Sequence, residues 1–185
     1  MREHEYETEI DTRLEGKLGF DRVRTFVADR CSTEYAVTRV TEERFSNDPK
    51  VIRERLALTD EMRLIVMFEE NFPTNGYIDC LDFLKPLEKT GYTIDILSLG
   101  KLRTMVETVR KLTNFFMSIK DGVYPNLKRM SAPVLSFPEV QRRIDQILDK
   151  FGDVKDTASD KLLEIRRAIK TKEGAISKRA NAILK

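Results

Sequence analysis

The chain has 185 residues, a length that fits one ordinary domain or two small ones. Hydrophobic residues make up 41% and charged residues 35%, with only 8 Gly and 6 Pro, which excludes disordered, collagen-like and low-complexity chains. The longest apolar run, Leu64 to Phe68, is far shorter than the roughly 20 residues of a membrane-spanning helix, and the charged start is unlike a signal sequence. We therefore expect a helix-rich cytoplasmic protein with no membrane partner.

The few cysteine and histidine residues limit redox and metal chemistry. Cys31 and Cys80 cannot form a CxxC pair, and we expect both to be reduced, packed thiols. The single histidine, His4, lies in a charged terminus. A phosphate loop, an HExxH motif, a GxSxG motif and a Cys/His ligand set are all absent from the sequence. The sequence therefore predicts no catalytic, no cofactor-binding and no metal-binding residue.

Apolar residues at three- and four-residue spacings predict a series of helices after a polar leader of residues 1–16. Five of these helices have the following apolar faces, in chain order: Phe20, Val23, Phe26, Val27 and Cys31; Ala36, Val37 and Val40; Ile52, Leu56, Met62, Ile65 and Phe68; Leu99, Leu102, Val106, Val109, Leu112, Phe116 and Ile119; and Val140, Ile144, Ile147, Leu148 and Phe151. A short helix over 81–88 lies between the third and the fourth of them, and one helical turn over 126–130 lies between the fourth and the fifth. The candidate N-caps are Ser32 or Thr33, Asn47 or Asp48, and Asp95 or Ser98.

The stripe from Leu99 to Ile119 has the clearest period, and we expect its helix to form the centre of the core. Large side chains on or beside this stripe could line a ligand site, but core packing is the favoured interpretation. These side chains are Met105, Phe115, Phe116 and Met117. The helix that includes Phe151 should end at Gly152 in a left-handed cap.

The last predicted helix carries a heptad pattern, because Leu162, Ile169, Ile176 and Ile183 recur at every seventh residue. At 1.5 Å per residue it would be a rod of roughly 40 Å. Since the apolar pattern runs to Leu184 without a stop signal, we expect the chain to end inside a longer helix. Its partner would then be the rest of its own chain.

Charge is distributed unevenly along the chain. Residues 160–185 hold eight Lys or Arg and three acids, so this end carries +5 while residues 1–159 carry −3. Such an end could contact the backbone of duplex nucleic acid, for which we expect only weak, salt-sensitive binding. The basic residues lack interleaved aromatic residues, which disfavours a stacking platform for single strands.

Two constellations resemble reactive sites, and each has a simpler interpretation. Ser98 and Lys101 match the SxxK pattern, in which a lysine acts as the base for a serine, but they lie at a predicted helix start without accessory motifs. A carboxylate series could gather a metal ion, although a solvated face with helix caps is favoured. The series consists of Asp145, Asp149, Asp153 and Asp156, of which Asp156 is placed to cap the last helix.

Two stretches carry a family resemblance. The sequence of residues 17–24, KLGFDRVR, followed by Cys31-Ser32, resembles the opening of the Smr-bearing branch of MutS-like proteins, paralogues of the mismatch-repair protein MutS. Residues 145–167 are similar to that branch's core and lever region, where a Gly-Asp turn and an Asp-x-Ala-Ser start lead into a long lever helix. Tyr35-Ala36 departs from the Leu-Gly that the family usually has after the Cys-Ser position.

The resemblance implies an all-α helical bundle that leads into a long lever helix with a heptad seam. It divides the chain into a polar leader (1–16), a helical core domain (17–157) and the start of the lever (158–185). In such proteins the core and lever couple dimerised ATPase modules to clamps around nucleic acid, so ATP, magnesium and a homodimeric state are implied for the parent protein. The ATP-binding motifs and the Smr nuclease region lie outside this chain, which implies no enzymatic activity for it.

The parent's implied roles are binding of mismatched or branched DNA, restraint of recombination, or action on stalled ribosomes. A different class of function stays open from the residues alone: a free-standing helical interaction or regulatory module that pairs through residues 159–185.

Overall fold

The structure is a computed structural model that describes residues 13–183, so His4 and Leu184 lie outside the described part. The described chain is all-α, as predicted, and its only extended pairing is one isolated bridge between Leu148 and Val154. After a helical segment over residues 13–18, the helices are α1 (Phe20–Ala28), α2 (Glu34–Glu42), α3 (Pro49–Phe68), α4 (Leu81–Leu84) continued by a 3₁₀ turn (Lys85–Glu88), α5 (Ile96–Ser118), α6 (Pro125–Ser131), α7 (Pro138–Ile147), a 3₁₀ turn (Asp156–Ala158) and α8 (Asp160–Ile183).

Three predicted N-caps are confirmed. The Thr33 hydroxyl accepts from the Ala36 amide at 3.2 Å, the Asp48 carboxylate accepts from the Lys50 amide at 2.8 Å, and Asp95 accepts from the Ser98 amide at 2.9 Å. Each bond satisfies a backbone donor that the first helical turn leaves free. The starts of α2, α3 and α5 are therefore local properties of the sequence.

The best-packed cluster lies where α3, α5 and α6 meet. Ile65 is fully buried against Phe115, Phe116 and Leu127. The rings of Phe115 and Phe116 meet edge to face with centroids 5.2 Å apart, and Phe72 meets both rings in the same way. These contacts confirm that α5 is central, with its densest packing at its carboxyl-terminal end.

A buried carboxylate holds α6 against α3. Glu61 accepts from the amides of Asn126 and Leu127 at 3.1 and 2.8 Å, and from the Asn126 side chain at 2.7 Å. These donors belong to the first turn of α6, which attracts negative charge. The Glu61 carboxylate and the apolar cluster described above therefore both hold α6 against α3.

Two expectations are wrong in detail. The sequence predicts Met117 in the core, but Met117 is 80% exposed, because it lies about 100° around the helix from Phe116 and about 200° from Phe115. The helix expected to include Phe151 ends at Ile147, and Phe151 is 78% exposed. Leu148 instead leaves the helix in an extended conformation and is fully buried, and Gly152 takes its positive φ inside the following turn.

The predicted final helix is confirmed as α8, whose 24 residues make a rod of about 36 Å. It contains no buried residue. Its principal packing neighbour is the 3₁₀ turn Asp156–Ala158 at its own base. Across residues 13–183, no helix combines the length and the hydropathy that a membrane crossing requires.

Candidate functional site at the base of the long terminal helix

Arg103 links the core helix α5 to the segment that leads into α8. Its Nε atom lies 2.7 Å from the Asp145 carboxylate on α7, and its Nη1 atom donates to the Asp149 carbonyl at 2.8 Å. One guanidinium therefore spans the end of α7 and the first residue of the turn beyond Leu148. The planar fork of arginine suits such a double contact.

The turn over 148–154 is closed by its own backbone. The Asp149 amide donates to the Asp153 carbonyl at 2.8 Å, and the Lys155 amide donates to the Ile147 carbonyl at 2.8 Å. Gly152 sits at φ +90°, a conformation that side chains disfavour. The turn is thus a defined element and not a loose linker.

Asp149 fixes the inside of this turn. Its Oδ1 accepts from the amides of Phe151 and Asp153 at 2.8 and 3.0 Å. Burial acts to raise the pKa of Asp149, but hydrogen bonds from the backbone of Asp153, Phe151 and Gly152 outweigh it and hold this pKa below its ordinary value. The carboxylate therefore stays charged when it caps the turn.

Two further cations secure the base of α8. Lys155 Nζ donates to the Asp145 carbonyl at 2.5 Å, and Arg166 Nη1 donates to the Val154 carbonyl at 3.3 Å and pairs with the Asp156 carboxylate. The prediction that Asp156 caps α8 is wrong, because the Ser159 hydroxyl accepts from the Leu162 amide at 3.2 Å instead.

We call the group formed by Arg103, Asp145, Asp149, Lys155, Asp156 and Arg166 the junction. It uses three members of the predicted carboxylate series, but for separate purposes: ion pairing with Arg103, capping a turn and pairing with Arg166. Within the described residues no group of three or more acidic, His or Cys side chains is arranged to hold a metal ion. These contacts tie α5, α7 and the start of α8 to one turn.

The SxxK residues lie at the start of α5. The Ser98 amide donates to the Asp95 carboxylate at 2.9 Å, and hydrogen bonding from Ser98 is the main reason that the pKa of Asp95 is lowered. Ser98 is therefore engaged in capping the helix.

Sequence reasoning missed an apolar groove of about 860 Å³. It lies between the start of α2, the segment over 77–84, α5 and the start of α7, and its lining includes Tyr35, Ile78, Cys80, Met105, Val109 and Val140. The signal that could have found it is Met105, which the sequence offers as a ligand-lining residue although core packing is the favoured interpretation. Met105 lies near the middle of α5, about three turns before the packed phenylalanines, and lines this groove.

Both cysteines are free thiols, as predicted, and Cys80 is buried beside this groove. Burial raises the pKa of the Cys80 thiol, the Asp79 carboxylate adds to the rise, and Lys101 opposes it. A thiol with a raised pKa is a weak nucleophile, which agrees with a packing role.

Comparison with known proteins gives a consistent family relationship. No family model matches the chain. Proteins named Endonuclease MutS2 from Listeria innocua and from a Geobacillus species are each 25% identical to it over 178 residues, and one from Clostridium perfringens is 26% identical over 177 residues. Each alignment covers 95% of this chain but 22 or 23% of the relative, so the chain spans about a fifth of the length of these proteins. The predicted resemblance to MutS-like proteins is thereby confirmed, and the chain is similar to one stretch of these relatives.

Proposed function

We propose that this chain is the core and first lever segment of a MutS-like protein and that it transmits movement without performing chemistry itself. The parent would be a cytoplasmic, homodimeric ATPase that acts on mismatched or branched DNA, in recombination or on stalled ribosomes. The relatives named Endonuclease MutS2 support a nucleic-acid-directed role for the parent. ATP and magnesium would be held outside this chain, since its sequence has no phosphate loop.

The observation that carries this proposal is the junction. Arg103 on the packed helix α5 contacts Asp145 and Asp149, and Arg166 on α8 contacts Val154 at the end of the same turn. Because α8 is about 36 Å long, a small rotation at its base displaces its far end by a much larger distance. A rigid base with a long exposed arm is the geometry that a lever needs.

Two measurements test the proposal. Reading the coding sequence beyond residue 185 should show an ATPase phosphate loop in the same frame, and a stop codon there would overturn the proposal. In the full-length protein, Arg103→Met should leave the basal ATPase rate unchanged but reduce its stimulation by nucleic acid several-fold. Arg142→Met is the matched control, because Arg142 pairs with Glu139 within α7 alone. If nucleic acid stimulates the ATPase rate of the two variants equally, the junction does not couple nucleic-acid binding to ATP hydrolysis.

A second candidate function is the free-standing interaction module, favoured by the exposed isoleucines of α8. Ile169, Ile176 and Ile183 are 50%, 66% and 84% exposed. If this chain is a self-pairing module, sedimentation of the 185-residue chain should show a tight dimer that Ile176→Asp dissociates.

A further inference from the structure

One face of α8 is apolar and uncovered. We call it the seam face; it comprises an isoleucine column (Leu162, Ile169, Ile176, Ile183), an alanine column (Ala168, Ala175, Ala182) and a mixed column (Ile165, Lys172, Arg179). Every member after Leu162 is exposed. A helix with such a face buries it against another helix.

The mixed column lies between the other two. At 100° per residue, Lys172 and Arg179 project from the helix between the isoleucine column and the alanine column. The alanines would let a partner backbone approach closely, which would bring it over both cations. Lys172 and Arg179 therefore lie inside the surface that a partner would cover.

Neither cation has an ion-pair partner among residues 13–183, whereas Arg166 on the same helix pairs with Asp156. Covering an unpaired cation with an apolar surface is unfavourable, because the charge loses its water without gaining a counter-charge. A second copy of α8 in parallel register would place Lys172 against Lys172 and Arg179 against Arg179. Such like-charge contacts disfavour that pairing.

We propose that the seam face of α8 binds an amphipathic helix whose apolar face carries carboxylates at a seven-residue interval, opposite Lys172 and Arg179. The apolar columns supply the buried area, and the two cations select the partner and its register. This surface is defined by residues of α8 alone and does not depend on the proposed lever role.

Duplex nucleic acid is the competing polyanion, but the seam face fits it poorly. Phosphates would be met by the cations on the opposite, mostly polar side of α8, such as Arg167 and Lys178. Contact through Lys172 and Arg179 would instead press the charged duplex backbone against the isoleucine column.

Binding to designed peptides tests the proposal. The probes are fluorescein-labelled four-heptad helical peptides with an Ile and Ala face that carry Glu opposite Lys172 and Arg179, and otherwise identical peptides with Lys there. Each is made in a parallel and an antiparallel design. We expect fluorescence anisotropy to show that the 185-residue chain binds one of the Glu peptides at least about tenfold more tightly than its Lys counterpart.

Charge reversal distinguishes the seam face from general attraction. The double variant Lys172→Glu/Arg179→Glu should reverse the preference, while the control Arg167→Glu/Lys178→Glu on the opposite side should retain it. Circular dichroism of both variants checks that α8 stays helical. Equal binding of the two peptides, binding of neither, or a preference for Glu that survives reversal would overturn the proposal. Displacement of the Glu peptide by duplex DNA that is bound through Lys172 and Arg179 would also overturn it.

Discussion

Helices α5 and α8 differ little in length or in period, yet their surroundings are opposite. α5 has 23 residues and buries Val106, Thr108, Phe115 and Phe116. α8 has 24 residues and buries none. Both sequences place apolar side chains on one helical face, so the period identifies the face in each case but not what covers it.

The residues within each face account for the difference. The stripe of α5 from Val106 through Val109 and Leu112 to Phe116 is wholly apolar, and α3, α6 and α7 can bury it without an unpaired charge. The face of α8 includes Lys172 and Arg179, so it needs a neighbour with matching carboxylates. A cation inside an apolar stripe therefore predicts that the helix covering this stripe carries carboxylates.

The largest effect should come from removing a core ring of α5. Phe116→Ala should lower the free energy of unfolding by about 3–5 kcal/mol, because Phe116 packs against Phe72 and Phe115 in a cluster that cannot fully collapse. Ile176→Ala on α8 is the matched control and should cost less than about 0.5 kcal/mol. Urea denaturation measures both. A similar loss in the two variants would mean that α8 is packed in solution.

This contrast also shows what the sequence alone could predict. Periods, caps and turn residues are local, so the positions of most helices and the caps Thr33, Asp48 and Asp95 are as predicted. Contacts between distant residues have no local signal. Glu61 binds the Leu127 amide across 66 positions of the chain, and Arg103 reaches Asp149 across 46.

The same reasoning explains the two misplaced core residues and the groove. Phe151 lies on the extrapolated period of α7, but the burial of Leu148 and the capping by Asp149 end that helix first. Met117 resembles its buried neighbours in residue type, but its angle on the helix points it outwards. The groove depends on how far α2 and α7 stand from Met105, which no sequence pattern records.

The next largest effect tests how closely the backbone at Gly76 approaches α5. At Gly76, with φ +85°, an added Cβ would lie 2.3 Å from the Thr108 hydroxyl, which is itself held by the carbonyls of Gly76 and Thr104. Gly76→Ala should therefore cost about 2–4 kcal/mol, from backbone strain and overpacking together. Gly91→Ala has a similar positive φ but open space, so it should cost only the strain, about 1–2 kcal/mol.

A double variant separates the two causes at Gly76. Adding Thr108→Ala to Gly76→Ala removes the clash and should recover part of the lost stability in thermal or urea unfolding. If Gly76→Ala and Gly91→Ala cost the same, the chain does not approach α5 as closely as the structure shows.

A smaller effect is expected at the base of α8. Arg166→Met removes the contacts with Val154 and Asp156, and should speed amide hydrogen exchange in the first turns of α8 a few-fold while exchange in α5 is unchanged. Arg167→Met is the control, since within the described residues the Arg167 side chain makes no hydrogen bond or ion pair with the turn. Equal acceleration in both variants would show that the contacts of Arg166 do not hold the helix base.

The smallest effect concerns the pH dependence of the turn that connects the core with α8. The pKa of Asp149 is lowered in the folded chain, so the stability it contributes is present above the unfolded value of about 3.9 and is lost as the pH falls through the folded value. The amide NMR shifts of Phe151 and Asp153 should therefore titrate together with a midpoint below about 3.9, because both amides donate to this carboxylate. Asp149→Asn should flatten both curves, whereas Asp153→Asn should leave the Phe151 curve in place. A midpoint at or above the ordinary value would mean that the turn does not favour the charged form of Asp149, and the two amide hydrogen bonds to this carboxylate would then add no stability to the turn.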